Sequence, residues 1–253
     1  MKSNQILIGL ALTMVLGFSV PSMASLSNAG NGLINETGAH SLTWLADANT
    51  FYTQSQTNPN LVNAIIAANG GVINDTPNAL ETPANGEHYN LTASDFKTST
   101  GEMDWWGAQA WVNYLNDFNY KGYNDWRLPA PNLAHGNNNG STNDGNGSEL
   151  GNLFWNELWN GNGTRNNTNW NLFANMTENR YWSGTEYAPD PRQAWYYNTF
   201  YIYQSYDWKD ARDYYQGWAV RSNNGAVVPI PASIWLFGSA LSGLGIFRRS
   251  RPA

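Results

Sequence analysis

The sequence predicts an α+β fold, because helical and strand patterns occupy separate parts of the chain. An apolar strand pattern at residues 42–47 comes first, two or three helical patterns follow, and the strand patterns of the last third lie between residues 181 and 221. Segregated helices and strands pack as antiparallel sheets with helices to one side. When its two apolar ends are set aside, the chain retains about 200 residues, enough for one domain with a sizeable core.

Three segments carry the helical patterns. In each of them, apolar residues recur at the spacing that buries one helical face. Asp104 is a suitable N-cap for the second helix, because its carboxylate can accept hydrogen bonds from the first free N–H groups. The third helix is predicted over residues 149–159. The apolar residues that define the three helices are Leu61, Val62, Ile65 and Ile66, then Ala108, Trp111, Val112 and Leu115, then Leu150, Leu153, Phe154 and Leu158.

The remaining segments are strands and loops. Residues 25–39 are small and polar, and we interpret them as a leader between the apolar start and the domain. Residues 130–148 are crowded with Asn, Gly and Ser, which is typical of a surface insertion. Alternating aromatic and polar residues predict strands at residues 181–187, 194–203 and 217–221.

Composition excludes several classes of function. The chain has no cysteine, so it has no disulfide, thiolate nucleophile or zinc–thiolate site. Stability must come from packing, for which 13 Trp, 14 Tyr and 9 Phe are present. Of the 13 basic residues, only nine lie between the apolar ends, scattered among all 19 acidic ones. A nucleic-acid partner requires clustered positive charge, so nucleic acid is excluded as a partner.

The amino-terminal segment is typical of a secretory signal peptide over residues 1–24. Lys2 precedes an uncharged apolar run, and Ser22 and Ala24 are the small residues that signal peptidase requires before its cut. We therefore expect export by Sec-type machinery and cleavage after Ala24. The alternative is an uncleaved anchor helix.

The carboxyl-terminal segment, residues 227–253, is predicted to enter a membrane. Residues 230–247 are uncharged and, at about 1.5 Å per residue, just long enough as a helix to cross a hydrocarbon core. Three arginines follow, Arg248, Arg249 and Arg251, and would hold the terminus on the cytoplasmic side. The folded domain would then lie outside the inner membrane.

The order of proline motif, apolar span and arginine cluster closely resembles the PEP-CTERM sorting signal. The motif here is Val228-Pro229-Ile230-Pro231-Ala232, in the Val-Pro-x-Pro-Ala variant. The resemblance implies cleavage near the motif by the membrane protease exosortase, generally in Gram-negative bacteria that make exopolysaccharide. The protein would be tethered briefly and then reach the cell surface or extracellular matrix. The prolines favour extended, accessible backbone, which agrees with such handling. A plain membrane anchor is the alternative.

Three groups of aromatic-rich motifs lie between positions 40 and 222. They are Leu42-Thr43-Trp44, then Tyr123-Asn124-Asp125-Trp126-Arg127-Leu128-Pro129, then Tyr181-Trp182-Ser183-Gly184-Thr185-Glu186-Tyr187, Ala194-Trp195-Tyr196 and Trp218-Ala219-Val220-Arg221. Together these groups resemble the Lcl C-terminal domain family of bacterial surface proteins. The resemblance implies a compact, loop-rich, C-type-lectin-like domain with short antiparallel strands, in which the terminal strands pair. The sequence departs from the family after Pro129, where the Asn-rich insertion begins.

Two kinds of ligand contact are predicted. Arg127 alternates with the apolar Trp126 and Leu128, so it either contacts a ligand or forms an ion pair with an acidic residue such as Asp125 or Asp47. Flat aromatic rings stack on sugars, and Trp155, Trp159 and Trp170 lie beside the Asn-rich insertion. These three tryptophans are candidates for a sugar platform, with burial in the core as the alternative.

The available His, Asp, Asn and Glu side chains limit which metal ions the protein could bind. His40, His88 and His135 lie far apart, which disfavours a zinc site. Asp144, Asn146 and Glu149 place oxygen donors in one irregular loop, which is the ligand type that Ca²⁺ accepts. A solvated loop is the alternative, and no other cofactor is predicted.

These observations predict an exported, non-catalytic module that binds polysaccharide or another surface ligand. The nucleophile-elbow, phosphate-loop and dinucleotide motifs are absent, which argues against an enzyme. The expected partners are the export machinery, signal peptidase, exosortase and extracellular polysaccharide. The alternatives are a structural envelope component without a specific ligand, or an enzyme of uncharacterised activity.

Overall fold

The computed structural model describes residues 25–38, 40–74, 88–134, 147–211 and 215–223. Within these ranges the chain mixes helices and sheets, which confirms the predicted α+β class. The helices are α1 (Thr50–Thr57), α2 (Leu61–Ala68), α3 (Trp105–Asp117), α4 (Glu149–Gly151) and α5 (Asn167–Trp170). The strands are β1 (Ser25–Gly30), β2 (Leu33–Thr37), β3 (Leu42–Leu45), β4 (Val72–Ile73), β5 (Tyr89–Asn90), β6 (Phe96–Lys97), β7 (Glu102–Met103), β8 (Arg180–Glu186), β9 (Gln193–Asn198), β10 (Tyr203–Trp208), β11 (Tyr215–Gln216) and β12 (Val220–Ser222).

Two larger sheets and one strand pair organise these elements. The first sheet has the order β1-β2-β3-β12 and is antiparallel throughout. The second has the order β10-β9-β8-β11-β7-β6, in which only β8 and β11 run parallel. Strands β4 and β5 form the separate pair. Early strand β3 and late strand β12 are therefore neighbours, as the resemblance implied.

The predicted leader over residues 25–39 was wrong, because most of it folds into the sheet. Strands β1 and β2 form a hairpin around Asn31 and Gly32, whose φ angles of 52° and 73° suit a tight turn. Leu33 and Ile34 are buried in the core. The small and polar residues on either side of this pair hid the short apolar pattern that docks the hairpin against β3.

The predicted helices exist, with differences in detail. Asp104 caps α3 as expected, because its Oδ1 accepts a hydrogen bond of 2.7 Å from the N–H of Gly107. The third helix begins as α4 but continues as a π-helix, Asn152–Leu158. Helix α1 was not predicted, because it buries only Thr50 and Phe51 and its other residues are polar. The predicted strand 194–203 is instead the hairpin β9–β10.

The core is centred on Trp218, which is fully buried between the two larger sheets. Its indole Nε1–H donates to the carbonyl of Leu45 in β3, at 2.8 Å. Four further rings surround it with centroid distances of 5.2–6.2 Å, namely Trp44, Phe154, Phe173 and Tyr181. These rings come from β3, the π-helix, the segment after α5 and β8, so one side chain holds four elements together.

The predicted signal peptide and the predicted membrane span lie outside the described residues. Among the helices that are described, none combines the length and apolarity that crossing a bilayer requires.

Replacement of Trp218 by Ala should lower the free energy of unfolding by about 3–5 kcal/mol, because a large ring in full contact leaves a cavity. Urea denaturation measures this change. Trp208, which is 44% exposed, provides the matched control, and Trp208→Ala should cost under about 1 kcal/mol. Equal effects of the two substitutions would show that Trp218 does not hold the core together.

Candidate functional site

Two adjoining pockets lie against the second sheet. Strand β9 ends beside them while β8 begins there, as the pairing of Arg180 with Asn198 requires. Residues of the turn between β6 and β7 add to the lining. The pockets have volumes of about 420 Å³ and 410 Å³. We call the first the aromatic pocket and the second the amide pocket, and the two together the groove. The aromatic pocket is lined by Lys97, Glu102, Glu178, Asn179, Arg180, Asn198, Phe200, Tyr201 and Tyr215. The amide pocket is lined by Asn49, Tyr52, Ser99, Thr100, Glu102, Asn175, Met176, Thr177, Asn179 and Gln216.

The four-residue turn of hairpin β9–β10, residues 199–202, presents two aromatic rings at the rim of the aromatic pocket. Phe200 is 56% exposed and Tyr201 is 62% exposed, and their centroids are 4.6 Å apart. A single exposed apolar side chain is ordinary on a protein surface, whereas adjoining ones beside a pocket indicate a binding surface. This pair is therefore the strongest indication of a binding surface among the described residues.

Hydrogen bonds to neighbouring residues hold the backbone of the turn in place. The Oδ1 atom of Asn198 accepts hydrogen bonds from the N–H groups of Phe200 and Tyr201, at 3.0 Å and 2.9 Å. The hydroxyl of Thr199 donates to the backbone carbonyl of Asn179 at 2.8 Å and so ties the turn to the segment before β8. These bonds consequently fix the backbone of the turn relative to the pocket.

Ile202 closes the turn with a φ angle of 55°. A β-branched residue rarely adopts this left-handed conformation, because its side chain crowds the backbone. Strain of this kind persists where surrounding contacts impose it, and it is found preferentially at functional sites. The strained backbone therefore coincides with the exposed ring pair.

Arg180 forms the cationic wall of the aromatic pocket. Its guanidinium lies over the rings of Tyr196 and Tyr215, at 5.6 Å and 5.2 Å from their centroids. Burial, reinforced by the neighbouring Asp207 carboxylate, raises the pKa of Tyr215. The phenol therefore stays protonated and donates to Asp207 at 2.5 Å. Arg180 keeps its positive charge at the pocket surface without a carboxylate bound to it among the described residues.

Glu102 and Asn179 separate the two pockets. The amide Nδ2 of Asn179 donates to the Oε1 atom of Glu102 at 3.2 Å, and the hydroxyl of Thr100 donates to its Oε2 atom at 2.9 Å. Lys97 lies 3.7 Å from the same carboxylate. Glu102 is therefore oriented as a fixed acceptor between the pockets.

Taken together, the groove offers ring faces beside amide, hydroxyl and charged groups that reach solvent. Such a lining can stack on the apolar face of a ring-shaped polar molecule and hydrogen-bond to its edge. Phosphate or nucleotide chemistry would require a glycine-rich backbone cradle or cations without carboxylates beside them. No glycine is among the described residues that line the groove, and its two cations, Lys97 and Arg180, are accompanied by Glu102 and Glu178.

The predicted tryptophan platform is arranged differently from the groove and lies apart from its lining. Trp155 is half-buried on the π-helix and makes no ring contact among the described residues. Trp159 and Trp170 meet edge to face, with centroids 6.3 Å apart, and both pack against the core. The guanidinium of Arg165 covers one face of Trp170 at 3.6 Å. Both pairs meet edge to face, so exposure distinguishes them, and the partly buried tryptophans offer less open ring surface than Phe200 and Tyr201.

Arg127 forms an ion pair, but with Glu149 rather than with Asp125 or Asp47. Its two terminal nitrogens donate to the two oxygens of Glu149, each at 2.6 Å. Asp125 pairs with Arg221 instead. The ion pair that the sequence offered as the alternative is therefore present, and its acidic partner lies 22 positions later in the sequence. The ion pair occupies both terminal nitrogens of Arg127 and joins residues on either side of the insertion.

The calcium candidate is only partly within the described residues. Asp144 and Asn146 lie outside them, as does His135. The carboxylate of Glu149 accepts from Arg127 and from the N–H of Ala130, at 2.7 Å for the latter. Among the described residues, which include His40 and His88, no three His, Asp or Glu side chains are grouped so that they could hold a metal ion.

Reasoning from sequence missed the groove because its residues come from five separate segments. Phe200 and Tyr201 lay inside a predicted strand, where alternate side chains are expected to be buried. One signal was present, since the pair Asn198-Thr199 interrupts the aromatic run with residues typical of turns. Recognition of that turn would have placed both rings at a hairpin tip.

A second polar cluster is sealed inside the fold, away from the groove. Glu36 of β2 is fully buried, and its two oxygens accept from the indole N–H of Trp44 and the amide of Asn152, each at 2.7 Å. Burial raises the pKa of Glu36 to about 7, against the lowering effect of those hydrogen bonds. Burial also raises the pKa of Glu157 and, more strongly, that of Asp104. These carboxyls bear on stability rather than on ligand binding.

Stability should therefore fall as the pH rises from about 4.5 to about 7. In this window the unfolded chain has released the proton of Glu36 while the folded protein still holds it, so folding is favoured at the acidic end. The share of Glu36 is up to about 3 kcal/mol, at roughly 1.4 kcal/mol per pKa unit.

Glu36→Gln should remove the part that Glu36 contributes to the dependence of stability on pH. The parts contributed by Asp104 and Glu157 should remain. Urea denaturation across the pH range measures it, and the exposed Glu178 supplies Glu178→Gln as a control for the loss of one negative charge. An unchanged slope in Glu36→Gln would contradict the account of this carboxyl.

No protein-family model, no curated protein and no solved structure matches the chain. The geometry of the groove and the features of the sequence are therefore what bears on function.

Proposed function

We propose that the protein is an exported, non-catalytic module that binds polysaccharide through the groove. One observation carries the proposal, namely the rigid turn that holds Phe200 and Tyr201 exposed above a pocket of about 420 Å³. A pyranose presents apolar C–H groups on its face and hydroxyls at its edge. The exposed rings suit the face, and the polar lining suits the hydroxyls.

The polar groups support binding rather than turnover. Glycoside hydrolysis requires one carboxylic acid that gives up a proton and a second carboxylate placed opposite it. Glu102 is instead held by Asn179 and Thr100, which orient it as an acceptor. Glu178 is exposed at the pocket rim. Both carboxylates are suited to accept hydrogen bonds from sugar hydroxyls.

The proposal includes membership of the Lcl C-terminal domain family with a C-type-lectin-like arrangement. Its support is that the three matching groups of residues converge in space. Arg127 and Val220 exchange backbone hydrogen bonds of 2.9 Å, Val220 lies opposite Trp44, and the N–H of Gly184 donates to the carbonyl of Pro129. Motifs far apart in the sequence thus form one structural unit.

Export and surface sorting complete the proposed function. The signal-peptide pattern, the Val-Pro-x-Pro-Ala motif and the terminal arginines support cleavage by signal peptidase and exosortase. The inner membrane would hold the protein briefly, with the groove facing outward. The protein would then reach the surface or matrix, where extracellular polysaccharide is available to the groove.

The double variant Phe200→Ala, Tyr201→Ala should lose glycan binding. We expect selective, saturable binding of the wild type on a glycan array, with and without calcium, and at least roughly tenfold weaker binding by the variant. The loss of two ring faces removes about 1 kcal/mol or more each.

Two controls separate the groove from other aromatic surfaces. Phe118 is 64% exposed and lies outside the groove, so Phe118→Ala should bind as the wild type does. Trp159→Ala and Trp155→Ala test the tryptophan platform that the sequence suggested. A blank array for the wild type would favour a structural envelope component, and loss only in the tryptophan variants would move the site away from the groove.

The mass of the mature protein tests the sorting proposal. Protein recovered from the surface of cells that make exosortase should lack residues 1–24 and the apolar tail after the proline motif. Intact-mass spectrometry reads both ends at once. A mass that retains residues 230–253 would leave a membrane-anchored domain and would contradict sorting.

A further inference from the structure

The groove is continuous across Glu102 and Asn179. Both side chains line both pockets, and they are hydrogen-bonded to each other. A carboxylate offers about four acceptor positions, and the bonds from Asn179 and Thr100 occupy only some of those on Glu102. The separating pair can therefore accept hydrogen bonds from groups on either side.

Each pocket alone is small. Volumes of about 420 Å³ and 410 Å³ fall in the lower part of the range of roughly 300–1,000 Å³ that is typical of small-molecule sites. One pocket therefore suits a single sugar unit with its bound water. A chain of two or more units requires both pockets.

The two linings differ in chemistry. The aromatic pocket has the exposed rings together with the charged Lys97, Arg180 and Glu178. The amide pocket has one carboxylate, Glu102, and is otherwise lined by uncharged residues, among which Gln216, Asn175 and the half-buried Tyr52 provide amides and a ring. Two adjoining pockets with different linings make different contacts with the two ends of a disaccharide unit.

We propose that the groove binds a linear oligosaccharide along its length, with consecutive sugar units in the two pockets, rather than a single terminal sugar. This inference rests on the proposed function and specifies its ligand. The unit in the aromatic pocket stacks on the ring pair, and the unit in the amide pocket is held by amides and hydroxyls. Because the pockets are unlike, the chain binds in one direction.

The test is the dependence of affinity on chain length. The full-length protein in detergent is titrated by calorimetry with β-1,4-linked glucose oligomers and with β-1,4-linked N-acetylglucosamine oligomers, each of one to four units. For at least one series, affinity should rise about tenfold or more from one unit to two, since a second set of contacts adds about 1.4 kcal/mol or more. Little further gain should follow beyond two or three units.

Two variants assign that gain to the amide pocket. Ser99 is exposed and lines this pocket, so Ser99→Trp fills it and should reduce the affinity for two units to that for one. Tyr52→Ala should reduce the gain without adding bulk. Thr98→Trp places the same side chain on an exposed neighbour that lines neither pocket, and it should retain the gain. Thermal unfolding verifies that each variant is folded.

The outcomes distinguish this inference from the proposed function. Equal affinity for one and two units, with binding still lost in Phe200→Ala, would overturn the two-pocket arrangement and leave the sugar-binding site. A gain that survives in both folded Ser99→Trp and Tyr52→Ala would overturn it as well. Failure of the wild type to bind any oligomer of either series would count against both proposals.

Discussion

The contact of Trp218 with its surrounding rings is the interaction on which the rest of the structure depends. A chain without cysteine has no covalent bond between its segments, so its sheets must be joined by buried surface. Trp218 contributes that surface at the point where β3, the π-helix and β8 meet. Its N–H bond to Leu45 orients the ring, so the first sheet is fixed relative to the second.

The groove depends on the rigidity of the packed sheets. Its walls are the ends of strands whose pairing is fixed, and its rim is a turn bonded to Asn198 and Asn179. Exposed rings and a left-handed Ile202 are both unfavourable for an isolated domain. A binding surface accounts for both features, because a turn whose backbone is already fixed loses little backbone entropy when a ligand arrives.

The parts of the fold that the sequence predicted are those with a local pattern. Helix α3 follows from its apolar spacing and from Asp104, and the pairing of β3 with β12 follows from the resemblance. The hairpin of β1 and β2 was missed because its buried face consists of few apolar residues, which dock only against β3. No local pattern marks such a face.

The groove and the ion pair of Arg127 could not be predicted, because both depend on contacts between distant segments. Nothing near Arg127 in sequence indicates Glu149 as its partner across the insertion. The lining of the groove comes from residues around positions 50, 100, 178, 200 and 215, which meet only in the folded domain. The tryptophans near the insertion were predicted to bind sugar because of their residue type and their position in the sequence. In the structure, Trp159 and Trp170 pack against the core.

The most direct test of the central claim is an NMR measurement of contacts between a bound oligosaccharide and assigned aromatic protons. Intermolecular Overhauser effects should connect the C–H face of a sugar unit with the ring protons of Phe200 and Tyr201. Effects that instead connect the sugar with Trp155, Trp159 or Trp170, and leave Phe200 and Tyr201 without any, would contradict the assignment of the groove as the binding site.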